Sequence, residues 1–316
     1  MGRKRKGRAI NGVLIVDKPQ GISSNDVVQR VKRIYKAQKA GHTGALDPLA
    51  TGLLPVCLGE ATKFSQFLLD ADKSYFVSAI LGERTDTSDA DGEIVETKPV
   101  NVTESDIRAA LGQFRGQIKQ VPSMFSALKH EGKPLYYYAR QGITIERPAR
   151  DITIYDIEWV SLENNVLSLN VQCSKGTYIR SLIDDLGQLL GCGAHVSVLR
   201  RTEVAHYKSA QMYTFEQLES LQEEDKFSPL DDILLPMDTA IASLTKRVVS
   251  EEEAIQFCLG QAVSSIDLSS PRLNEGEVVR LYEETTQRFL GVATVNEMNL
   301  LQPKRVVVYA SDTLEA

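Results

Sequence analysis

Buried runs, alternating runs and helical stripes succeed one another along this chain, and each predicts an element. Val13-Leu14-Ile15-Val16 predicts a buried strand, closed by the turn signal Lys18-Pro19-Gln20-Gly21. Val27, Val28, Val31 and Ile34 recur at helical spacing, which predicts a helix over roughly 25–37 with Ser24 as its cap. Phe64, Phe67 and Leu68 give a short helix around 60–69, and residues 75–81 have strand composition up to Gly82. Thr103 and Asp106 resemble a capping box that opens a helix to about 112. Residues 152–159 and 166–173 alternate and meet at Asn164-Asn165, a hairpin signal. Thr177 can cap a helix over about 178–190 that Gly191 stops, and 196–204 is a further strand.

Two stretches break this rhythm. Gly41-His42-Thr43-Gly44-Ala45-Leu46-Asp47-Pro48-Leu49-Ala50-Thr51-Gly52 is barred from regular structure by its glycines and proline, yet carries one carboxylate, one imidazole and two hydroxyls. It suits a catalytic loop on a rigid scaffold, and it equally suits a tight turn in which Asp47 caps the backbone. Residues 117–150 show no sustained period beyond a helical stretch at 135–140, and read as a long functional insertion. Residues 214–222 predict a short helix in an acidic region. Beyond Lys246 short alternating segments at 278–282, 289–293 and 305–309 suggest a small β barrel. The expected division is therefore 1–245 and 246–316.

The formal net charge of −6 hides an asymmetry that matters for polyanions. Residues 1–40 hold eleven Lys/Arg against two acids, starting with Arg3-Lys4-Arg5-Lys6 and Arg8. Residues 115–150 add Arg115, Lys119, Lys129, Lys133, Arg140, Arg147 and Arg150 against Glu131 and Glu146. The four cysteines are scattered without a C-x-x-C pair, which fits a reducing cytoplasm. No apolar run approaches the roughly 18 residues of a membrane span, and the basic start lacks the apolar segment of a secretory signal.

Asp86-Thr87-Ser88-Asp89-Ala90-Asp91-Gly92 imitates a calcium loop, but Lys98 stands where the bidentate Glu is required, so a structured acidic turn is expected. The four histidines lack ligand spacing, so no metal is expected; no G-x-x-x-x-G-K-[ST] occurs and the glycines at 41, 44 and 52 do not open a helix, so the loop is not a phosphate cradle. Three other features accompany Asp47: Tyr75 just after Lys73, Tyr178 and Arg180 at a helix start, and Leu199 before Arg200-Arg201. Each alone also suits a core or solvated residue.

Together they resemble a family. Residues 41–54 are similar to the signature of the bacterial tRNA pseudouridine-55 synthases, the TruB-type enzymes acting on the T loop. Further matches are Asp17-Lys18-Pro19-x-Gly21, Lys73-x-Tyr75, Thr85-Asp86-Thr87-x-Asp89-x-Asp91-Gly92, Ser126-Ala127-x-Lys129 through Tyr138-Ala139-Arg140, and Cys173-Ser174-Lys175-Gly176-Thr177-Tyr178-Ile179-Arg180 with Asp184-Asp185-Leu186-Gly187. Ser23 and Ser123 depart from the pattern, where Thr and Pro are expected. The resemblance spans roughly 10–205 and is weaker past 250.

It implies an α+β fold: a mixed, largely antiparallel pseudouridine-synthase sheet flanked by helices, an RNA-clamping insertion at 117–150, and a small PUA-like C-terminal β domain. It implies isomerisation of uridine 55 in the T loop of tRNA to pseudouridine, on an extruded nucleotide and without a cofactor. Asp47 would be the nucleophile, paired with Arg180. Tyr75 would stack on uracil and serve in late proton removal. His42 and Tyr178 would contact the nucleotide, and Leu199 would wall the pocket. Lys18, Lys63, Lys129, Arg140 and Lys175 would contact RNA. The partner is tRNA alone, with no guide RNA, protein partner or membrane, and a monomer is expected. An RNA chaperone of tRNA elbows and an Asp-nucleophile glycosidase are the alternatives. The Asp47, Tyr75 and Arg180 set argues against binding as the sole role, with a chaperone role alongside catalysis still expected. The lone carboxylate argues against the glycosidase, which uses two.

Overall fold

The structure, a computed structural model, describes residues 7–223, 226–264 and 272–309; the basic run Arg3-Lys4-Arg5-Lys6 lies outside the described residues. Its frame is a nine-stranded sheet whose main path runs Gly12–Lys18, Thr51–Leu58, Ala194–Val204, Lys73–Leu81, Val166–Cys173, Arg150–Glu163 and Gly116–Gln120. Neighbours along this path pair antiparallel except at one seam, where Thr51–Leu58 meets Ala194–Val204 in parallel. Two short strands, Ala40–His42 and Tyr207–Lys208, attach off the path.

The continuous apolar run at 13–16 has a simple cause: the first strand is covered on both faces. Leu14 and Val16 join the large core with Val27, Val31, Leu182 and Leu186 from two helices, Ser24–Ile34 and Ile179–Leu189. Val13 and Ile15 face a second core with Phe64, Val204, Met237 and Ile241. A third core lies within the five-stranded sheet of the C-terminal part, ordered Thr245–Val249, Val278–Glu283, Phe289–Val295, Leu300–Val306, Val263–Ser264. That sheet docks on the rest through Phe64, whose ring lies 5.4 Å from Phe289. The Tyr282 hydroxyl donates to Asp238 at 2.5 Å, and the backbone N–H of Val308 donates to Glu60 at 2.9 Å.

Several boundaries differ from expectation for local reasons. The first helix is capped by Ser23, not Ser24, because Ser23 and Asp26 complete a capping box while the Ser24 hydroxyl is drawn onto the backbone of Leu46. Thr177 does not cap the helix Ile179–Leu189: its hydroxyl donates to the Ser174 carbonyl at 2.9 Å, and Tyr178 is the cap residue without a side-chain bond. The stretch at 117–150 is not irregular throughout. Its first residues belong to the edge strand Gly116–Gln120, paired with 150–154, and it contains the hairpin Lys129–His130/Lys133–Pro134 and the helix Leu135–Ala139. The last strand runs Leu300–Val306 rather than 305–309. Thr103 and Asp106 do form a capping box, and Asn164 and Asn165 turn the hairpin with φ of 50° and 62°.

Candidate active site

The loop bearing Asp47 is short of regular structure but not loose. Its ends are strand, since Gly41 and His42 pair with Cys57 and Val56, and Thr51 and Gly52 enter the parallel seam. At Gly52 (φ 98°) an added Cβ would stand 2.2 Å from the Arg201 carbonyl oxygen, so the two strands can meet there only across a glycine. The Leu46 N–H donates to Ser24 Oγ at 2.8 Å. From beneath, Lys18 Nζ donates to the carbonyls of Pro19, Pro48 and Ala50 at 3.0, 3.3 and 2.6 Å. Lys18, expected among the RNA contacts, is thus fully buried and holds the loop. Burial is the main reason its ammonium is lowered to about 8, with the Asp47 charge opposing.

Asp47 emerges from this support into a cleft of about 380 Å³, within the range of small-molecule sites. Arg180 Nε lies 2.9 Å from Asp47 Oδ2; the arginine side chain is 6 % exposed and the aspartate 42 %. The same guanidinium reaches Asp89 at 3.3 Å and donates to the carbonyls of Thr87 and Phe125 at 3.1 and 2.7 Å. Asp47 is pushed above the usual aspartate value, chiefly because the cleft wall strips water from it, with Asp89 adding to the shift; Arg180 and Lys18 oppose it.

Tyr75 sits opposite Arg201 across the pair Lys73–Leu81/Ala194–Val204. Arg201 is 1 % exposed, donates through Nε to the Leu53 carbonyl at 2.7 Å and through a terminal nitrogen to the Gly44 carbonyl at 3.3 Å. Burial raises the Tyr75 phenol and the adjacent Arg201 charge partly restores it. Lys73, also lining the cleft, is lowered to about 8, first by burial and then by Arg201.

The cleft therefore gathers Asp47, Tyr75, Tyr178, Arg180 and Leu199. His42 does not line it. His42 is half-buried, its pKa is lowered by burial and then by Arg201, and its Nδ1 has no hydrogen-bond partner. Lys63 is engaged elsewhere, paired with Glu60 and donating to the Val306 carbonyl at 2.8 Å, where it ties the C-terminal sheet down. Lys175 is exposed and 3.1 Å from Asp70. Lys129 and Arg140 are exposed on the insertion, Arg140 over the Tyr136 ring. A larger groove of about 600 Å³ on the C-terminal sheet, walled by Ala254, Ile255, Leu259 and Leu290, contains none of these residues. Among the described residues no three His, Cys, Asp or Glu side chains gather to hold a metal, and no helix is long and apolar enough to cross a membrane.

Comparison with known proteins decides the family. Residues 32–179 match the TruB family pseudouridylate synthase N-terminal domain, 180–242 the tRNA pseudouridylate synthase B C-terminal domain, and 247–307 the pseudouridine synthase II TruB C-terminal domain. The tRNA pseudouridine synthase B of Mannheimia succiniciproducens is 58 % identical over 308 residues, covering 97 % of this chain and 99 % of that protein. The chain belongs to the TruB family.

The TruB-family protein of the same name from Pasteurella multocida is 56 % identical over 304 residues, covering 96 % of this chain and 97 % of that protein. Among solved structures, a Cbf5-Nop10-Gar1 complex aligns with a TM-score of 0.71 at 28 % identity, covering 93 % of this chain and 84 % of that one. The fold is thus the expected one: α+β, with a largely antiparallel sheet flanked by helices.

Three further groups shape this TruB-family cleft, none of them among the expected site residues. Asp89, which stands in an acidic turn and in a family motif but carries no expected role, is buried against Arg180. Arg201, two residues after Leu199, braces the Asp47 loop through Leu53 and Gly44. Its signal was an arginine at an inward position of a strand that otherwise alternates. Gln120 carries no sequence signal, and its side chain holds both backbone polar groups of Tyr178.

Proposed function

We propose that this protein isomerises uridine 55 of tRNA to pseudouridine, with Asp47 as nucleophile. The observation that carries the reading is the Asp47–Arg180 pair at 2.9 Å in a cleft shared with Tyr75, Tyr178 and Leu199. Asp47 has to be ionised to attack, while its surroundings favour the neutral acid. Arg180 supplies the compensating charge from a position fixed by three further acceptors.

Asp47 bonds transiently to the nucleotide, at C1′ or at C6; the bond between N1 and C1′ breaks, the base turns, a bond forms between C5 and C1′, and the bond to Asp47 breaks again to free the carboxylate. The C5 proton leaves and N1 acquires one, so atoms and electrons balance within the nucleotide and no redox group is required. Tyr75 and Leu199 line the cleft; in this reading Tyr75 packs on the base and serves in removal of the C5 proton, and Leu199 closes an apolar wall. Uracil, with a flat face and two polar edges, fits such a mixture.

The base must leave the RNA stack to reach Asp47, at a cost of a few kcal/mol. Repeated binding and release would therefore also remodel the tRNA elbow, the basis of an accompanying chaperone role. Lys129 and Arg140 face outward on the insertion and are suited to phosphates. His42, outside the cleft, would meet the RNA from which the base is extruded. The C-terminal sheet reads as a PUA-like module toward the acceptor end. The domain division at about 245 and action as a monomer without guide RNA, in the cytoplasm, belong to the same reading.

The test is tritium release from a tRNA transcript labelled at C5 of uridine. One equivalent released per wild-type transcript, and none when position 55 is cytidine, is expected. Release independent of position 55 would refute the assignment.

A further inference from the structure

The helix that delivers Arg180 has an anomaly at its start. Tyr178, its cap residue, makes no side-chain cap bond, and the expected cap Thr177 is turned away onto Ser174. The first turn of a helix leaves backbone N–H groups without intrahelical partners, and a helix end inside a protein ordinarily finds substitutes. Here the substitute comes from another strand. Gln120 Oε1 accepts from the Tyr178 N–H at 2.8 Å, and Gln120 Nε2 donates to the Tyr178 carbonyl at 3.0 Å. That carbonyl also accepts the first helical bond, from the Leu182 N–H at 3.0 Å. Gln120 is 3 % exposed, so water does not compete for these bonds.

We propose that Gln120 is a positioning residue for the Asp47–Arg180 pair, acting through the backbone of Tyr178. The primary amide mimics a peptide group and pairs with residue 178 as a neighbouring strand would. This fixes where the helix begins, and hence where the guanidinium two residues later points. The same segment grips the guanidinium directly, since the Phe125 carbonyl accepts from Arg180 at 2.7 Å. Gln120 ends the edge strand from which the insertion departs, so one stretch of chain both roots the RNA-facing insertion and aligns the catalytic pair. Only a side chain with an acceptor and a donor on one planar group, of this length, serves both bonds; leucine fills the space with neither, and an ionised glutamate keeps acceptors alone.

The inference rests on the isomerase reading above, and the test separates the two. Wild-type enzyme is assayed beside Gln120→Leu and Gln120→Glu for single-turnover tritium release at saturating enzyme, for tRNA affinity by filter binding, and for thermal unfolding. Wild-type inactivity would defeat the isomerase reading itself. With active wild type, Gln120→Leu is expected to slow the chemical step about tenfold or more while affinity stays within about threefold. Gln120→Glu should recover part of that loss. The acid limb of the rate should also move to higher pH in Gln120→Leu, because Asp47, facing Arg180, Asp89, Lys18 and Tyr75, would lose part of its compensating charge. A folded Gln120→Leu with rate and acid limb unchanged overturns the proposal. So does a rate loss that only follows the unfolded fraction. If Gln120→Leu does not fold, a Gln120→Glu enzyme with wild-type rate and acid limb overturns it equally.

Discussion

Replacing Asp47 by asparagine removes a charge from the cleft while keeping its shape. Arg180 is not orphaned by the change, because Asp89 remains 3.3 Å away and two carbonyls still accept from it. The pair is half open, Arg180 at 6 % and Asp47 at 42 % exposed, so the attraction lost on substitution is offset by relief of the carboxylate's dehydration. The titration has a definite sign as well. The folded-state pKa of Asp47 lies above its unfolded value, so near that pKa the folded chain binds more protons than the unfolded one, and stability falls as pH rises through it. At neutral pH the ionised carboxylate is thus a net burden on the fold, and the neutral isostere should change stability by no more than about 1 kcal/mol, or about 2–4 °C in Tm. Activity should behave oppositely: loss of the nucleophile is expected to reduce the rate by at least ~10⁴, about 5 kcal/mol of barrier. Tritium release, filter binding of tRNA and thermal unfolding on one preparation measure all three. The wild-type rate should also decline, as pH falls, at a pH above the ordinary aspartate value of about 4. Appreciable turnover by Asp47→Asn would remove Asp47 from the chemistry, and a large fall in Tm would make it a structural residue.

Three further outcomes are expected. Lys129→Ala combined with Arg140→Ala should weaken tRNA binding and reduce the salt slope by about 2, about 1 for each lost phosphate contact, whereas an unchanged slope would show that the insertion does not grip the backbone. Phe64→Ala should cost about 3–5 kcal/mol by emptying a buried site against Phe289, read as a lower Tm and as protease cleavage near the junction at 242–245; an unaltered Tm would mean that the two parts do not depend on this contact. Tritium release should survive exhaustive EDTA treatment, and a chelator-sensitive rate that added metal restores would contradict the cofactor-free chemistry.

The sequence disclosed the parts governed by local chemistry and concealed those governed by distant partners. The capping box at Thr103 and the Asn164-Asn165 turn are complete within four residues, and both form as expected. Ser24 was mistaken for a cap because its real partner, the backbone of Leu46, is remote in sequence. Thr177 differs: its hydroxyl bonds Ser174 three residues back, while the Tyr178 N–H at the helix start is met by Gln120, remote in sequence. The cleft residues Asp47, Tyr75, Tyr178, Arg180 and Leu199 were legible as a set only because several motifs stood in order along the chain. No single one declared itself. Lys18 and Lys63 show the limit of reading charge as function: one lysine is buried under a loop and the other spent at a junction, which composition cannot reveal. The edge strand at 116–120 was missed because only Ile118 in it is apolar, too little to display a period.

The anchoring of the Asp47 loop bears on which tRNAs such an enzyme can serve. With three carbonyls of its surroundings clasped by one buried ammonium, Asp47 has little freedom to follow a substrate. Adaptation must then come from the nucleic acid. Turnover across a cell's tRNA pool would be graded by how easily each T loop gives way, largely indifferent to anticodon and acceptor sequence, and a nicked or loosened elbow should react faster than an intact one.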